Sequence, residues 1–380
     1  MADVPSFIDL NQLMDLLVNS PGLEVLILES CLPAQLTQSP HGRIIHLPHL
    51  SHISVFGSSS CVTNLLKMLK LPSSTELKMY CKSDPDDAPI YNDHPLLPIF
   101  SAHYQSPAIE FKSLRVALSC QSWFGIKASS FLPISRIRQP QIFGDDVDAD
   151  SEFVLFLDEL PGNGSWTDLF ERLCNVLPIS NLEFLSISAP DTDDSANWVG
   201  LFKRCTKVTR LQAVGCGTSS LVRALATPEH INTRPGGKTE KLRHDNRYSI
   251  PAPSARSTAL HAHGPIFPKL TSLSLKRLDF SEMERSSGTL YDVVQKALLQ
   301  RMKTDSLKIL RIGNSAICAT RAKALQELVQ KFYWDGEYGL PDEYDFVDYD
   351  DRPWPWWELS LDGTMYDEQE WREIIRTGGG

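Results

Sequence analysis

A short phrase, Leu-x-x-Leu-x-Leu, recurs along this chain and limits its fold more than any other feature. It first appears in SPGLEVLILESCLP, from Ser20 to Pro33, and returns in LEFLSISAP, VTRLQAVGC and LTSLSLKRL. Further copies start at Leu50, Leu307 and Trp356, and weaker ones centre on Leu77, Leu114 and Leu155, which makes about ten rungs. Within each phrase the apolar residues alternate as on a half-buried strand.

Between rungs the period changes from two to about three and a half, as in CVTNLLKMLK, WTDLFERLCNVL, WVGLFKRC, SSLVRALA, LYDVVQKALLQRM and ALQELVQKFY. These predict short amphipathic helices. The alternative is a doubly wound α/β domain, but the repeated phrase favours an α/β leucine-rich repeat solenoid, with parallel strands on a concave face and short helices on the convex one. Rungs are spaced from about 24 to more than 60 residues apart, so the array is irregular. It is expected to span residues 1–334, with a mobile, mildly basic insertion at 227–268 holding Arg234, Lys238, Lys241, Arg243 and Arg247. Residues 335–380 read as an acidic, Trp-rich tail in which WWELSL has the composition of a last strand.

The chain has a net charge of -10 and a pI near 5.5, which argues against nucleic acid or anionic membrane as partner and for a basic or neutral protein. The N-terminal MADVPSFIDL lacks the basic and apolar regions of a signal peptide, so a cytoplasmic or nuclear location is expected. Eight cysteines are scattered without a Cys-x-x-Cys pair and read as free thiols. Cys31 and Cys216 close their phrases, where a small side chain can turn inward to meet backbone groups; a structural role follows for both.

Motifs that carry chemistry fail on inspection. Asp146, Asp148 and Asp150 alternate like calcium ligands and Glu159 falls at the twelfth place from Asp148, but the sixth place needs glycine and holds Phe153. His46, His49 and His52 cannot converge on a metal from one strand, since His49 would face away from the other two. PGNGSW and GCGTSS lack the phosphate-loop lysine, and FGSSSC around Ser59 lacks the second glycine of a nucleophile elbow. No catalytic residue, metal or cofactor is expected.

LMDLLVNSPGLEVLILESCLP, WVGLFKRCTKVTRLQAVGC and FPKLTSLSLKRLDFSE resemble the leucine-rich repeat half of the F-box proteins of mushroom-forming fungi, over roughly Asp9 to Phe332. The resemblance implies a recognition module that selects proteins for a cullin ubiquitin ligase. In that family an N-terminal F-box docks on a Skp-type adaptor. Here the first repeat follows Met1 almost directly, so the adaptor is a partner only if an F-box lies upstream.

The function expected is therefore non-enzymatic binding of a protein on the concave face; a scaffold unconnected to ubiquitin is the alternative. Alternation assigns to that face Ile27, Glu29, Ser54, Phe56, Lys78, Tyr80, Ser186, Ser188, Gln212, Val214, Ser274, Lys276, Arg311 and Gly313. Phe56 and Tyr80 are the expected anchors.

Overall fold

The computed structural model describes residues 10–28, 31–32, 44–82, 94–104, 109–118, 123–132, 153–158, 166–189, 198–226, 266–281, 283–284, 288–303 and 307–336. The N-terminal part holds α1 (Leu10–Val18), β1 (Val25–Leu28), β2 (Ile45–His46), β3 (His52–Ser58), α2 (Ser59–Lys67), β4 (Leu69–Lys70) and β5 (Glu76–Lys82). The middle holds α3 (Leu97–His103), β6 (Ser113–Leu118), β7 (Trp123–Ser129), β8 (Phe153–Asp158), α4 (Trp166–Val176) and β9 (Phe184–Ser188). Then follow α5 (Trp198–Phe202), β10 (Arg210–Val214), α6 (Ser219–Ala224) and β11 (Ser272–Lys276). The last elements are β12 (Met283–Glu284), β13 (Gly288–Thr289), α7 (Leu290–Met302), β14 (Ile309–Gly313), α8 (Ala319–Gln326) and β15 (Lys331–Trp334).

Eleven strands form one sheet in the order β1-β3-β5-β8-β7-β6-β9-β10-β11-β14-β15. The pairing is parallel except where β7 lies antiparallel between β6 and β8. This corrects the expectation of an all-parallel ladder: the rungs at Leu114 and Leu155 are β6 and β8, but they flank a strand that carries no phrase. The chain leaves β5, enters beside β9, and returns through β7 to pair with β5 again. Two-stranded pairs, β2 with β4 and β12 with β13, stand apart from the main sheet.

One face of the sheet builds the core. The register aligns Leu26, Ile53, Leu77 and Phe153 in one inward row, and Leu185, Leu211, Leu273 and Leu310 continue it. All are buried in a single cluster. Every helix adds to the same cluster, among others through Leu13, Leu65, Phe100, Phe170, Trp198, Leu221, Leu298 and Leu325, so the helices lie on that face. Around the reversed strands aromatic rings fill the space. Phe100 meets Phe153 edge-on at 5.3 Å, and Phe170 sits 6.3 Å from Phe124 and 6.0 Å from Phe202.

The recurrence extends to the backbone. A four-residue turn precedes these strands and closes on the first apolar residue of the phrase, as in Leu50 N–H to Leu47 O, Leu182 to Ile179, Val208 to Cys205 and Leu270 to Phe267. One residue before the strand, hydroxyls step along the stack: Thr271 Oγ1 donates to Thr209 O (3.0 Å), Thr209 Oγ1 to Glu183 O (3.1 Å) and Ser51 Oγ to Glu24 O (2.9 Å). Just after β10, β11 and β14 come Gly215, Arg277 and Asn314, all with positive φ (86°, 55° and 46°). Each turns the chain out of the sheet at the same level, a conformation that glycine and asparagine take at less cost than arginine. Cys216 follows this corner and its thiol donates to Arg277 O at 3.8 Å, the inward role expected of it.

Three expectations change. The segment ALQELVQKFY is not one helix: α8 ends at Gln326 and Lys331–Trp334 pairs parallel to β14 as the edge strand. The insertion does not reach 268, because Ile266 and Phe267 are buried in the core; residues 227–265 lie outside the described residues. His46 and His52 sit on different sheets, and His52 Nδ1 lies 2.9 Å from Glu76 Oε2. The acidic turn at Asp146–Asp150 and the strand expected of WWELSL are outside the described residues.

Candidate protein-binding face

The side of the sheet away from the helices is covered by no described helix. Its central row is continuous through the register: Ile27, Ser54, Lys78, Val154, Lys127, Arg115, Ser186, Gln212, Ser274, Arg311 and Tyr333, one residue from each of the eleven strands. The row two residues on runs Phe56, Tyr80, Phe156, Gly125, Ala117, Ser188, Val214, Lys276 and Gly313. The positions expected from alternation thus fall into two rows about 5 Å between neighbours, which is the spacing of paired strands. Glu29 lies outside the described residues.

Accessibility along these rows is uneven. Ile27, on the edge strand, is 55% exposed. Ser54, Phe56, Lys78, Tyr80, Ser188, Gln212, Ser274, Lys276 and Arg311 are half-buried. Three expected contacts are corrected. Ser186 is 6% exposed, a short side chain in register between Arg115 and Gln212. Val214 is 4% exposed between Ser188 and Lys276, and Gly313 is buried and has no side chain to offer.

Val154, Phe156, Ala117, Phe184 and Val214 are buried yet stand outside the core cluster. They make an apolar floor on the outer face itself. Basic groups edge it: Arg115 and Arg210 lie 5.8 and 5.4 Å from the Phe184 ring, Lys82 Nζ 5.2 Å from Phe56, and Arg311 5.2 Å from Tyr333. Arg311 also donates to Ser272 Oγ at 3.2 Å, which fixes its guanidinium over the row. The charged residues at outward positions of the described strands are Lys78, Lys82, Lys127, Arg115, Arg210, Lys276, Arg311 and Lys331, against Glu76 and Asp158. The net charge of -10 is therefore not the charge of this face.

Sequence reasoning missed Arg115, Lys127, Val154, Phe156, Phe184 and Arg210. In Phe153–Asp158 both faces are apolar, so alternation gives no direction. In WFGIKAS the phrase is absent. A basic residue inside a phrase, as Arg210 is between Val208 and Leu211, was a usable signal.

The buried ionisable groups lie on the helix side. Burial pushes the Cys81 and Cys205 thiols up to about 12, and that of Cys174 in the same direction, so they are unreactive thiols. Among the described residues no group of His, Cys, Asp and Glu is placed to hold a metal ion, and no helix is long and apolar enough to cross a membrane.

The chain matches no family model, no curated protein and no solved structure.

Proposed function

We propose that this chain is a non-enzymatic protein-recognition module: an irregular leucine-rich repeat solenoid that takes a protein partner across the outer face of its sheet. One observation carries the reading. Two rows of side chains, one across eleven strands and one across nine, lie on a face that no described helix covers, and they combine an apolar floor with half-buried aromatic and basic groups. Interfaces are built this way, with aromatic and arginine anchors over a desolvated centre. The recurring turns, hydroxyl steps and left-handed corners support the repeat reading, because several rungs reuse the same local geometry.

The resemblance of the phrases to F-box proteins adds a narrower role, the substrate-selecting part of a cullin ubiquitin ligase. That role rests on repeat style alone. A purified Skp-type adaptor tests it, offered to this chain and to a form extended by any helical segment encoded upstream. Capture by the extended form supports the ligase role; capture by neither removes it and leaves a repeat scaffold. For the recognition role itself, a photo-cross-linker at position 56 or 80 is expected to trap a protein partner, and one at Lys203, exposed in the turn after α5, is not. Equal trapping at all three positions counts against the face.

A further inference from the structure

The outer face has a counterpart in the chain's own sequence. Residues 337–380 contain 13 Asp and Glu and 3 Arg, a net -10, so the whole net charge of the chain lies in this segment and residues 1–336 sum to zero. It is also rich in rings: Tyr344, Phe346 and Tyr349 are interspersed with Asp, and Trp354, Trp356 and Trp357 cluster just before Glu358. Acid and aromatic on one side match base and aromatic on the other.

Position favours the match. The segment leaves the sheet directly after β15, whose Tyr333 ends the central row under Arg311. Asp335 is held there, its Oδ2 accepting the Asn314 N–H at 2.6 Å. From β15 to Lys78 on β5 is eight strands, about 40 Å at about 4.8 Å per strand. The contour of 44 residues, at about 3.3 Å each, far exceeds that distance. Every basic residue of the row is within reach.

We propose that residues 337–380 are an intramolecular occupant of the outer face, with carboxylates on Lys78, Lys127, Arg115 and Arg311 and aromatic rings over the Phe156 floor. A protein partner then has to displace the segment. Tethering makes this effective, since a segment joined by a short linker competes at millimolar effective concentration. The contacts are at the surface and weaken with salt, because the Debye length falls from about 10 Å at 0.1 M to about 3 Å at 1 M.

The test uses the full chain. Zero-length carbodiimide coupling, mapped by mass spectrometry on the monomer, is expected to join Lys78, Lys127 and Lys276 to carboxylates of 337–373. Lys67 and Lys323, which are exposed on helices, and Lys203, which is exposed in the turn after α5, serve as controls. The links should fade at 0.5 M salt. Links spread evenly over both lysine groups, or formed only between molecules, would overturn the proposal. A second arm uses D342N/E343Q/D345N/D348N in the full chain with poly-glutamate as probe. The variant is expected to bind it at least tenfold more tightly than the wild type. Equal, measurable binding by both would show an open basic face and remove the segment as its occupant. No binding by either, together with no face-specific links, would count against both the occupant and the face.

Discussion

Trp198 and Ser220 offer a quantitative test of the helical layer behind the outer face. Trp198 is 2% exposed, stacks on Phe202 at 6.0 Å with rings 5° from parallel, and donates its indole N–H to Ser220 Oγ at 2.8 Å. This one residue ties α5 to α6 behind the central strands. Replacing it with alanine removes the stack and leaves a cavity, at a cost of about 3 to 5 kcal/mol. Trp198→Phe keeps most of the packing but loses the hydrogen bond, for about 1 to 2 kcal/mol. Ser220→Ala keeps the ring and strands its N–H, again for about 1 to 2 kcal/mol. In the double variant both partners are gone, so the losses should fall short of additive by about 1 kcal/mol. Urea denaturation followed by far-UV circular dichroism measures all four proteins. Strict additivity, or a cost below about 0.5 kcal/mol for Ser220→Ala, would refute the hydrogen bond and with it the way α5 meets α6.

Two further outcomes follow from buried polar groups. Burial lowers His94 to about 4, and its Nδ1 accepts the Leu96 N–H at the start of α3. Between about pH 6.5 and pH 4 the unfolded chain binds this proton and the folded chain does not, so stability falls as pH drops, by up to about 3 kcal/mol. His94→Gln should flatten that slope, and an unchanged slope in denaturation midpoints would contradict the assignment. Arg301 is 4% exposed and donates to Phe267 O (3.0 Å) and Ile266 O (2.6 Å), clamping a turn in which Phe267 has φ 53°. Arg301→Met should cost about 2 kcal/mol after the desolvation of the guanidinium is discounted, and a loss below about 0.5 kcal/mol would show that the clamp does not hold the turn.

The strands with a clear phrase were legible because their alternation is forced by one buried face. Val25–Leu28, Phe184–Ser188, Arg210–Val214, Ser272–Lys276 and Ile309–Gly313 all lie where the phrase puts them. What the phrase cannot encode is neighbour order. Nothing in Ser113–Leu118 or Phe153–Asp158 says that a hairpin strand will part them and run antiparallel, since that depends on long-range pairing and not on local period. The candidate face was half legible for the same reason. Alternation located Phe56, Tyr80, Lys78 and Arg311, but the basic character of the face emerges only when Arg115 arrives from a strand with a weak phrase and Lys127 from one with none. Total charge misled on this point, because the acidic residues that dominate it are concentrated at 337–380.

The most direct test of the central claim compares the two sides of the molecule. Phe56→Ser, Tyr80→Ser and Lys78→Glu on the outer face, and Lys67→Glu and Lys323→Glu on the helices with Lys203→Glu in the turn after α5, are scored for binding to a partner captured at position 56, with unfolding midpoints matched. The account predicts at least a tenfold loss from the outer-face set and little change from the helix set. Loss confined to the helix set would place recognition on the opposite side and contradict it.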